Sequence, residues 1–151
     1  MAEGREREGG RQLFCRIITP EEVVFDDEVD LVIARIADGE IGVLVDHAPL
    51  VSTVEFGAVR ISQDDDRQVY ATSDGFFKVS ENLVQVLVEE AVPASEIDVD
   101  EAEDRVEEAE RELAETSESD EREAERARAA IERRRSMGET LTHVARRYGE
   151  G

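Results

Sequence analysis

The sequence predicts an α+β protein: an N-terminal antiparallel β-sandwich or small barrel, followed by two helices that form an antiparallel hairpin. The sheet is predicted by short apolar runs with partial alternation, which fill residues 12–92 and are interrupted regularly by turn residues. The helices are predicted by a change at Pro93, after which Glu, Ala and Arg dominate and apolar residues recur three and four positions apart. We therefore divide the chain into a disordered leader at 1–11, a sandwich domain at 12–92 and a helical hairpin domain at 93–151.

Composition excludes several classes of function. The formal net charge of −21 argues against nucleic acid as a partner, because binding phosphates requires a cationic surface. The chain contains no run of about 20 apolar residues, so no segment is expected to span a membrane on its own. The single cysteine, Cys15, cannot form an internal disulfide, and with only His47 and His143 we expect no metal site.

The first strands are defined by their periodicity and by the turns between them. Gln12–Ile18 alternates with a period of two and predicts one buried face. Glu22–Phe25 and Glu28–Ile36 are the next candidates, with the acidic pair Asp26–Asp27 between them. The expected buried residues of the first and third candidates are Leu13, Cys15 and Ile17, and Val29, Leu31 and Ile33. Six further candidates read IGVLV, LVSTV, GAVRIS, RQVYATS, FFKVS and LVQVLVE.

The segment 37–51 carries the clearest turn signals. Asp38–Gly39 predicts a two-residue hairpin turn, because both central residues of such a turn must tolerate positive φ. A sharp corner is predicted at His47–Pro49. We interpret His47 as a structural hydrogen-bonding residue, since no acid or nucleophile accompanies it in the sequence.

Two helices are predicted in the C-terminal third. Asp98 is the expected N-cap of the first, with Glu101 as its reciprocal capping partner. Thr116–Ser119 predicts the connecting loop, and the second helix extends from about Asp120 to Arg147. Gly138 costs about 1 kcal/mol relative to Ala inside a helix and predicts a weak point or bend. The apolar stripes are Val99, Ala102, Val106, Ala109 and Leu113, then Ala124, Ala127, Ile131, Met137 or Gly138, Leu141, Val144 and Tyr148.

The two helices differ in charge. Residues 96–125 contain 16 acidic residues against three arginines, whereas residues 126–147 contain seven arginines against two glutamates. One interpretation is a weakly packed hairpin with two solvated faces of opposite charge. The other is a basic helix that can leave its acidic neighbour and dock on another acidic surface. The sequence is compatible with both.

No catalytic constellation is present in the sequence. We find no Gly-rich phosphate loop, no nucleophile elbow and no Cys/His pairing. Asp64–Asp66 is best interpreted as a solvated hairpin tip, and the acidic helix lacks a calcium-binding loop. The residues therefore indicate a binding or structural module without a cofactor.

The combination of motifs resembles the epsilon subunit of bacterial F-type ATP synthase, which is the delta subunit of the mitochondrial enzyme. The matching segments are Ile18–Pro20, Val23–Ala34, Asp38–Leu44, His47–Val51, Gly57–Ile61, Ser73–Val79 and Asn82–Ala91. The resemblance implies a ten-stranded sandwich with two helices behind it. It also implies a non-catalytic central-stalk subunit of a proton-translocating enzyme, peripheral at the cytoplasmic face of the cell membrane and in contact with the membrane only through the complex.

The resemblance also implies partners. They are the gamma subunit, the c-ring and the catalytic alpha and beta subunits, and the helical tail would inhibit ATP hydrolysis at the catalytic head. The residues expected to contact the c-ring or gamma are Asp38, Gly39, Glu40 and His47, and those expected to contact the head are Arg126, Arg128, Arg133, Arg134 and Arg135. The alternative is a free-standing β-sandwich module that binds proteins and carries a coiled-coil tail.

Two departures from the family pattern are visible. Val45–Asp46 stands where the family usually has Pro-Gly, and Asp is a residue that tolerates left-handed backbone geometry. In the ATP-binding motif of some members, Ile97, Asp98 and Ala102 match, but Glu101 and Glu108 replace two arginines. Because carboxylates repel phosphate, we expect no ATP binding.

Overall fold

A computed structural model describes residues 11–116 and 122–149. Apart from Arg11, the predicted leader lies outside these residues, and so does the predicted loop beyond Thr116. The elements are β1 Leu13–Ile18, β2 Val23–Val29, β3 Leu31–Ile36, β4 Gly39–Val43, β5 Leu50–Val54, β6 Gly57–Gln63, β7 Asp66–Thr72, β8 Gly75–Ser80, β9 Leu83–Val88, β10 Ala91–Pro93, a 3₁₀ turn Ala94–Glu96, α1 Val99–Thr116 and α2 Arg122–Tyr148. The predicted α+β fold is confirmed.

The ten strands form one sheet that folds over on itself. Its order is β10-β7-β6-β3-β5-β8-β9-β1-β2, with β4 added at β3. Among the described residues the pairings are antiparallel except for β1 with β9, which is parallel. Phe25 of β2 and Tyr70 of β7 come from strands far apart in this order, yet their rings meet edge to face at 5.9 Å. The inner faces of β1 to β9 therefore enclose one apolar core, to which Leu13, Cys15 and Ile17 belong as predicted.

The boundary between β2 and β3 differs from the prediction. Strand β2 runs through Asp26 and Asp27 to Val29, and the break falls at Asp30. The Asp30 N–H donates to the Ser62 carbonyl at 2.8 Å, and its carboxylate accepts the Asp64 N–H at 2.6 Å. This break shifts the register, so that β3 buries Val32 and Ala34 rather than Leu31 and Ile33. The three-residue strand β10 was not among the predicted strands.

The hairpin turn between β3 and β4 lies one residue earlier than predicted. Ile36 pairs with Gly39, so Ala37 and Asp38 form the turn. Of these residues only Gly39 has positive φ, at 122°. The glycine is required at the first position of β4, where a side chain would strain the backbone.

The two helices lie antiparallel and fold against the sandwich. Residues of α1 and α2 form a second apolar cluster with the outer face of β7, and Ala102, Met137, Leu141 and Val144 are its buried helical members. The predicted cap is present in part: the Asp98 carboxylate accepts the Glu101 N–H at 3.2 Å, while no return bond from Glu101 occurs in the described residues. Ala127, expected in the apolar stripe, is exposed. In the described ranges, neither helix is both long and apolar enough to cross a bilayer.

Gly138 of α2 packs directly against α1. Helix α2 continues through it, so the predicted weak point is not a break. A Cβ at this position would lie 2.8 Å from Val106 Cγ2 and 3.1 Å from the Ala102 carbonyl oxygen. Gly138 is thus explained by close packing between the helices.

Candidate functional site

The residues predicted to contact the c-ring or gamma lie at opposite ends of the sandwich. Asp38, Gly39 and Glu40 are at the β3–β4 turn, whereas His47 follows the other end of β4. Five strand residues at about 3.3 Å each separate these ends by roughly 16 Å. Glu40 is largely exposed and accepts a hydrogen bond from Arg60 Nη2 at 3.0 Å. The structure therefore does not bring the four predicted contact residues into one patch.

The corner before His47 is held by three side chains, Arg11, Asp46 and Asn82, which we call the corner clamp. Asp46 and Asn82 both have left-handed backbone geometry, with φ of 66° and 64°. The Asp46 N–H donates to Asn82 Oδ1 at 2.6 Å, and Asn82 Nδ2 donates back to Asp46 Oδ1 at 3.3 Å. Arg11 Nη1 donates to the same carboxylate oxygen at 3.0 Å. These bonds to Arg11 and Asn82 lower the pKa of Asp46.

The clamp explains how Val45–Asp46 forms a sharp corner. The positive φ that glycine adopts freely is supported here by hydrogen bonds with Asn82 of another turn and with Arg11, two residues before β1. His47 then stabilises the corner, since its N–H donates to the Leu44 carbonyl at 3.2 Å and its Nδ1 lies 2.7 Å from the Ala48 carbonyl. Arg11 and Asn82 were not singled out from the sequence, in which Asn82 is visible only as a turn residue.

An apolar row lies on the outer face of the sheet. Phe76 pairs with Leu87, Leu87 with Ile18, and Ile18 with Val23 across four neighbouring strands. Phe76 is 63% exposed, Val23 52% and Leu87 42%. We call these four residues the outer apolar row. Three of them, Ile18, Phe76 and Leu87, line a groove of about 630 Å³ that is lined also by Pro20, Val54, Val88, Glu55, Asp74, Glu89 and Arg133. A contiguous exposed apolar surface on an otherwise acidic protein indicates a docking site for another protein.

Arg133 of α2 connects the tail to this groove. Its Nη2 lies 2.9 Å from Asp74 Oδ1, and its Nη1 donates to Asp74 Oδ2 at 3.2 Å. Glu89 is 3.7 Å away, and the guanidinium carbon lies 5.5 Å from the centre of the Phe56 ring. The hydrogen bond with Asp74 raises the pKa of Arg133. The tail is therefore attached to the sandwich by a bidentate ion pair with a cation–π contact.

The other tail arginines have different surroundings. Arg134 Nη2 pairs with Glu112 of α1 at 2.7 Å, and Arg128 Nη2 donates to the Thr116 carbonyl at 3.3 Å. Arg135 is half-buried, and its Nε has no hydrogen-bond partner among the described residues. Arg126 is exposed near the start of α2. The five predicted arginines thus do not form one continuous free surface while the tail lies on the sandwich.

The degenerate nucleotide motif surrounds a small cavity. Ile97, Asp98, Glu101 and Ala102 line it together with Glu90, Glu96 and Arg105. Arg105 donates to both carboxylate oxygens of Glu90, at 3.1 and 3.0 Å. Four carboxylates therefore face one arginine that is already paired, while Glu108 is exposed elsewhere on α1. No group of His, Cys, Asp or Glu side chains that could hold a metal occurs in the part of the chain that the structure describes.

Comparisons with known proteins agree with this architecture. The model of the family described as ATP synthase, Delta/Epsilon chain, beta-sandwich domain matches residues 12–94. The ATP synthase epsilon chain of Rubrobacter xylanophilus is 66% identical over 94% of this chain and 97% of its own length. The epsilon chain of Staphylococcus saprophyticus is 38% identical over 80% and 90%.

Solved structures give the same result. A chain of the Euglena gracilis mitochondrial ATP synthase, in a structure of OSCP, F1 and c-ring, superposes with a TM-score of 0.68. It is 25% identical, and the match covers 88% of this chain and 81% of that one. A chain of the Tetrahymena thermophila central stalk and c-ring has the same fold, with a TM-score of 0.60 at 13% identity over 88% and 96% of the two chains. The chain belongs to the ATP synthase epsilon chain family.

Proposed function

We propose that this chain is a non-catalytic rotor subunit of a proton-translocating F-type ATP synthase. It binds the gamma subunit and the c-ring in the central stalk, at the cytoplasmic face of the cell membrane, and couples their rotation to ATP synthesis. The observation that carries this proposal is the 66% identity to an epsilon chain over 97% of that protein's length. A free-standing binding module is not favoured, since the likeness extends over sandwich and helices alike.

The two parts of the chain have separate roles in this proposal. Residues 12–92 are the attachment domain, and residues 93–151 form a regulatory tail. The separation is supported by two distinct apolar clusters, one inside the sandwich and one between the helices and the sheet's outer face. The second cluster is small and contains several alanines, so the tail can leave without opening the sandwich core.

We assign the gamma subunit to the outer apolar row and the c-ring to the β3–β4 turn. The row offers the exposed apolar side chains that protein interfaces bury at their centre. The turn offers Asp38, Gly39 and the exposed Glu40, whose orientation is supported by Arg60. Because His47 lies at the other end of β4, it meets a different part of the rotor from Glu40.

The docking assignment is tested with two exposed apolar residues. Phe76→Ser alters the outer apolar row, and Leu44→Ser alters an apolar residue that is 58% exposed but lies outside it. Full-length variants are titrated onto F1 complex from which this subunit has been removed. Burial of an aromatic side chain contributes about 1.5–3 kcal/mol, so Phe76→Ser should weaken binding by tenfold or more and Leu44→Ser should leave it unchanged. Equal affinities of the two variants would refute the assignment.

We further infer that the detached tail contacts the catalytic alpha and beta subunits through Arg126, Arg128, Arg133, Arg134 and Arg135, and that it inhibits ATP hydrolysis. Their charge supports this role once the pairs with Asp74 and Glu112 have opened. Removing the residues after Pro93 should raise ATP hydrolysis by the assembled enzyme. ATP itself should not bind, because the cavity at Asp98 and Glu101 is lined mainly by carboxylates. Calorimetry that shows saturable ATP binding would contradict this inference.

A further inference from the structure

The groove beside the outer apolar row is built from both parts of the chain. Its walls include Phe76 and Leu87 of the sheet, and also Arg133 of α2. Only the position of the tail on the sandwich brings Arg133 to this place. The surface offered to a docking partner is therefore different when the tail has left.

The difference is whether the carboxylates that line the groove are paired with a cation. With the tail docked, Asp74 is neutralised by a bidentate pair with Arg133, and Glu89 lies within 3.7 Å of the same guanidinium. When α2 leaves, both carboxylates lose this cation. A partner that covers the groove removes water from Asp74, and burying an unpaired carboxylate is far more unfavourable than burying a paired one.

We propose that Arg133 couples docking of the gamma subunit to the position of the tail. Gamma binds more tightly when α2 lies on the sandwich, and bound gamma in turn holds the tail in its docked position. The two effects are equal because coupling between two binding equilibria is reciprocal. This inference rests on the proposed docking of gamma at the outer apolar row.

Charge indicates which part of gamma enters the groove. Glu55, Asp74 and Glu89 line it against one arginine, so it keeps a negative balance even with the tail docked. The complementary occupant is an apolar segment of gamma flanked by a lysine or arginine. That cation pairs with Glu89, which is 76% exposed and only loosely associated with Arg133, and leaves the Asp74–Arg133 pair in place.

The test is a double-mutant cycle on the affinity of the full-length chain for the purified gamma subunit, because the alpha and beta subunits that Arg133 and Arg134 are proposed to contact are then absent. Arg133→Gln removes the cation from the groove. Arg134→Gln is the matched control, because the neighbouring arginine has an equally exposed side chain but pairs with Glu112 on α1 instead of with the sandwich. Asp74→Asn removes the charge that Arg133 neutralises, so the missing cation should no longer matter.

We expect Arg133→Gln to weaken binding by roughly tenfold, the size expected when one partly buried carboxylate is left unpaired. Arg134→Gln and Asp74→Asn should stay within about twofold of wild type, and the Arg133→Gln/Asp74→Asn double variant should recover most of the loss. Purely additive effects, or equal effects of the two arginine variants, would overturn the coupling.

The outcome also separates this inference from the proposed docking. If Phe76→Ser leaves affinity unchanged, the docking assignment itself is wrong and the coupling falls with it. If Phe76→Ser weakens binding while Arg133→Gln behaves like Arg134→Gln, the docking assignment stands and only the coupling is wrong. Circular dichroism of each variant verifies that sandwich and helices are folded before its affinity is compared.

Discussion

Replacing Gly138 with alanine should destabilise the helical hairpin, although alanine is normally the better residue in a helix. Helix propensity alone favours Gly138→Ala by about 1 kcal/mol. The sequence, read without the structure, therefore predicts a more stable tail. The structure predicts the reverse, because the position of the new methyl group is already occupied.

The size of the effect follows from the three atoms nearest to that methyl group. Val106 Cγ2 at 2.8 Å can rotate away, but the Ala102 carbonyl oxygen at 3.1 Å and the Val106 nitrogen at 3.3 Å belong to the α1 backbone. Accommodation therefore requires the helices to separate. Overpacking of this kind costs about 1–3 kcal/mol, so after the gain in propensity the net destabilisation is about 0–2 kcal/mol.

The assay is urea unfolding of the full chain, followed by circular dichroism at 222 nm, together with the rate at which trypsin cleaves after the arginines of α2. Ala129→Gly at an exposed position of the same helix calibrates the effect of propensity alone, at about 1 kcal/mol. Val106→Ala tests the mechanism, since removing the nearest side chain should make Gly138→Ala less harmful. Stabilisation by Gly138→Ala of about 1 kcal/mol in the wild-type background would refute close packing at this site.

Two further predictions concern the sandwich. Hydrogen bonds with Arg11 and Asn82 lower the pKa of Asp46 in the folded protein. The corner clamp therefore stabilises the fold at pH values above the ordinary carboxyl pKa, and this stabilisation is lost as the pH falls through the lowered pKa. The free energy of unfolding, measured between pH 7 and pH 2, should show this loss in the wild type and less of it in Asn82→Ala. Thr72 is fully buried, and its hydroxyl has no hydrogen-bond partner among the described residues. Thr72→Val keeps the shape of the side chain and should increase the free energy of unfolding by about 1 kcal/mol, measured as a higher melting temperature. A lower melting temperature would reveal a partner for the hydroxyl.

Where apolar and polar residues alternate along a strand, the buried residues could be predicted from the sequence. Gln12–Ile18 places apolar residues at every second position, and its expected inner face is buried. Glu28–Ile36 is nearly continuous in apolar residues after Asp30, so either face of β3 could have been the inner one. The choice depends on two hydrogen bonds of Asp30 with residues distant in sequence: its N–H donates to the Ser62 carbonyl, and its carboxylate accepts the Asp64 N–H.

The proposed docking surfaces are visible in the sequence only where they are formed by residues close in the chain. The motif around Glu40 is contained in one hairpin, and its turn character is visible in the sequence. The outer apolar row depends on the parallel pairing of β1 with β9, and the corner clamp joins Asp46 to a residue 36 positions away. Non-local pairing of this kind has no signature in composition or periodicity. For the same reason, the sequence does not show that Glu40 and His47 lie at opposite ends of the sandwich.

Under the proposed function, the two interpretations of the charged helices, a solvated hairpin and a detachable basic helix, describe one element in two positions. In the docked position the arginines of α2 that pair with carboxylates do so with partly exposed side chains, and such pairs contribute only about 0–1 kcal/mol each. The apolar contact combines the alanines Ala71, Ala94 and Ala102 with the larger Met137, Leu141 and Val144. A tenfold coupling through Arg133 changes the ratio of docked to detached tails by the same factor. Under this proposal, a partner at the outer apolar row controls the tail without touching most of it.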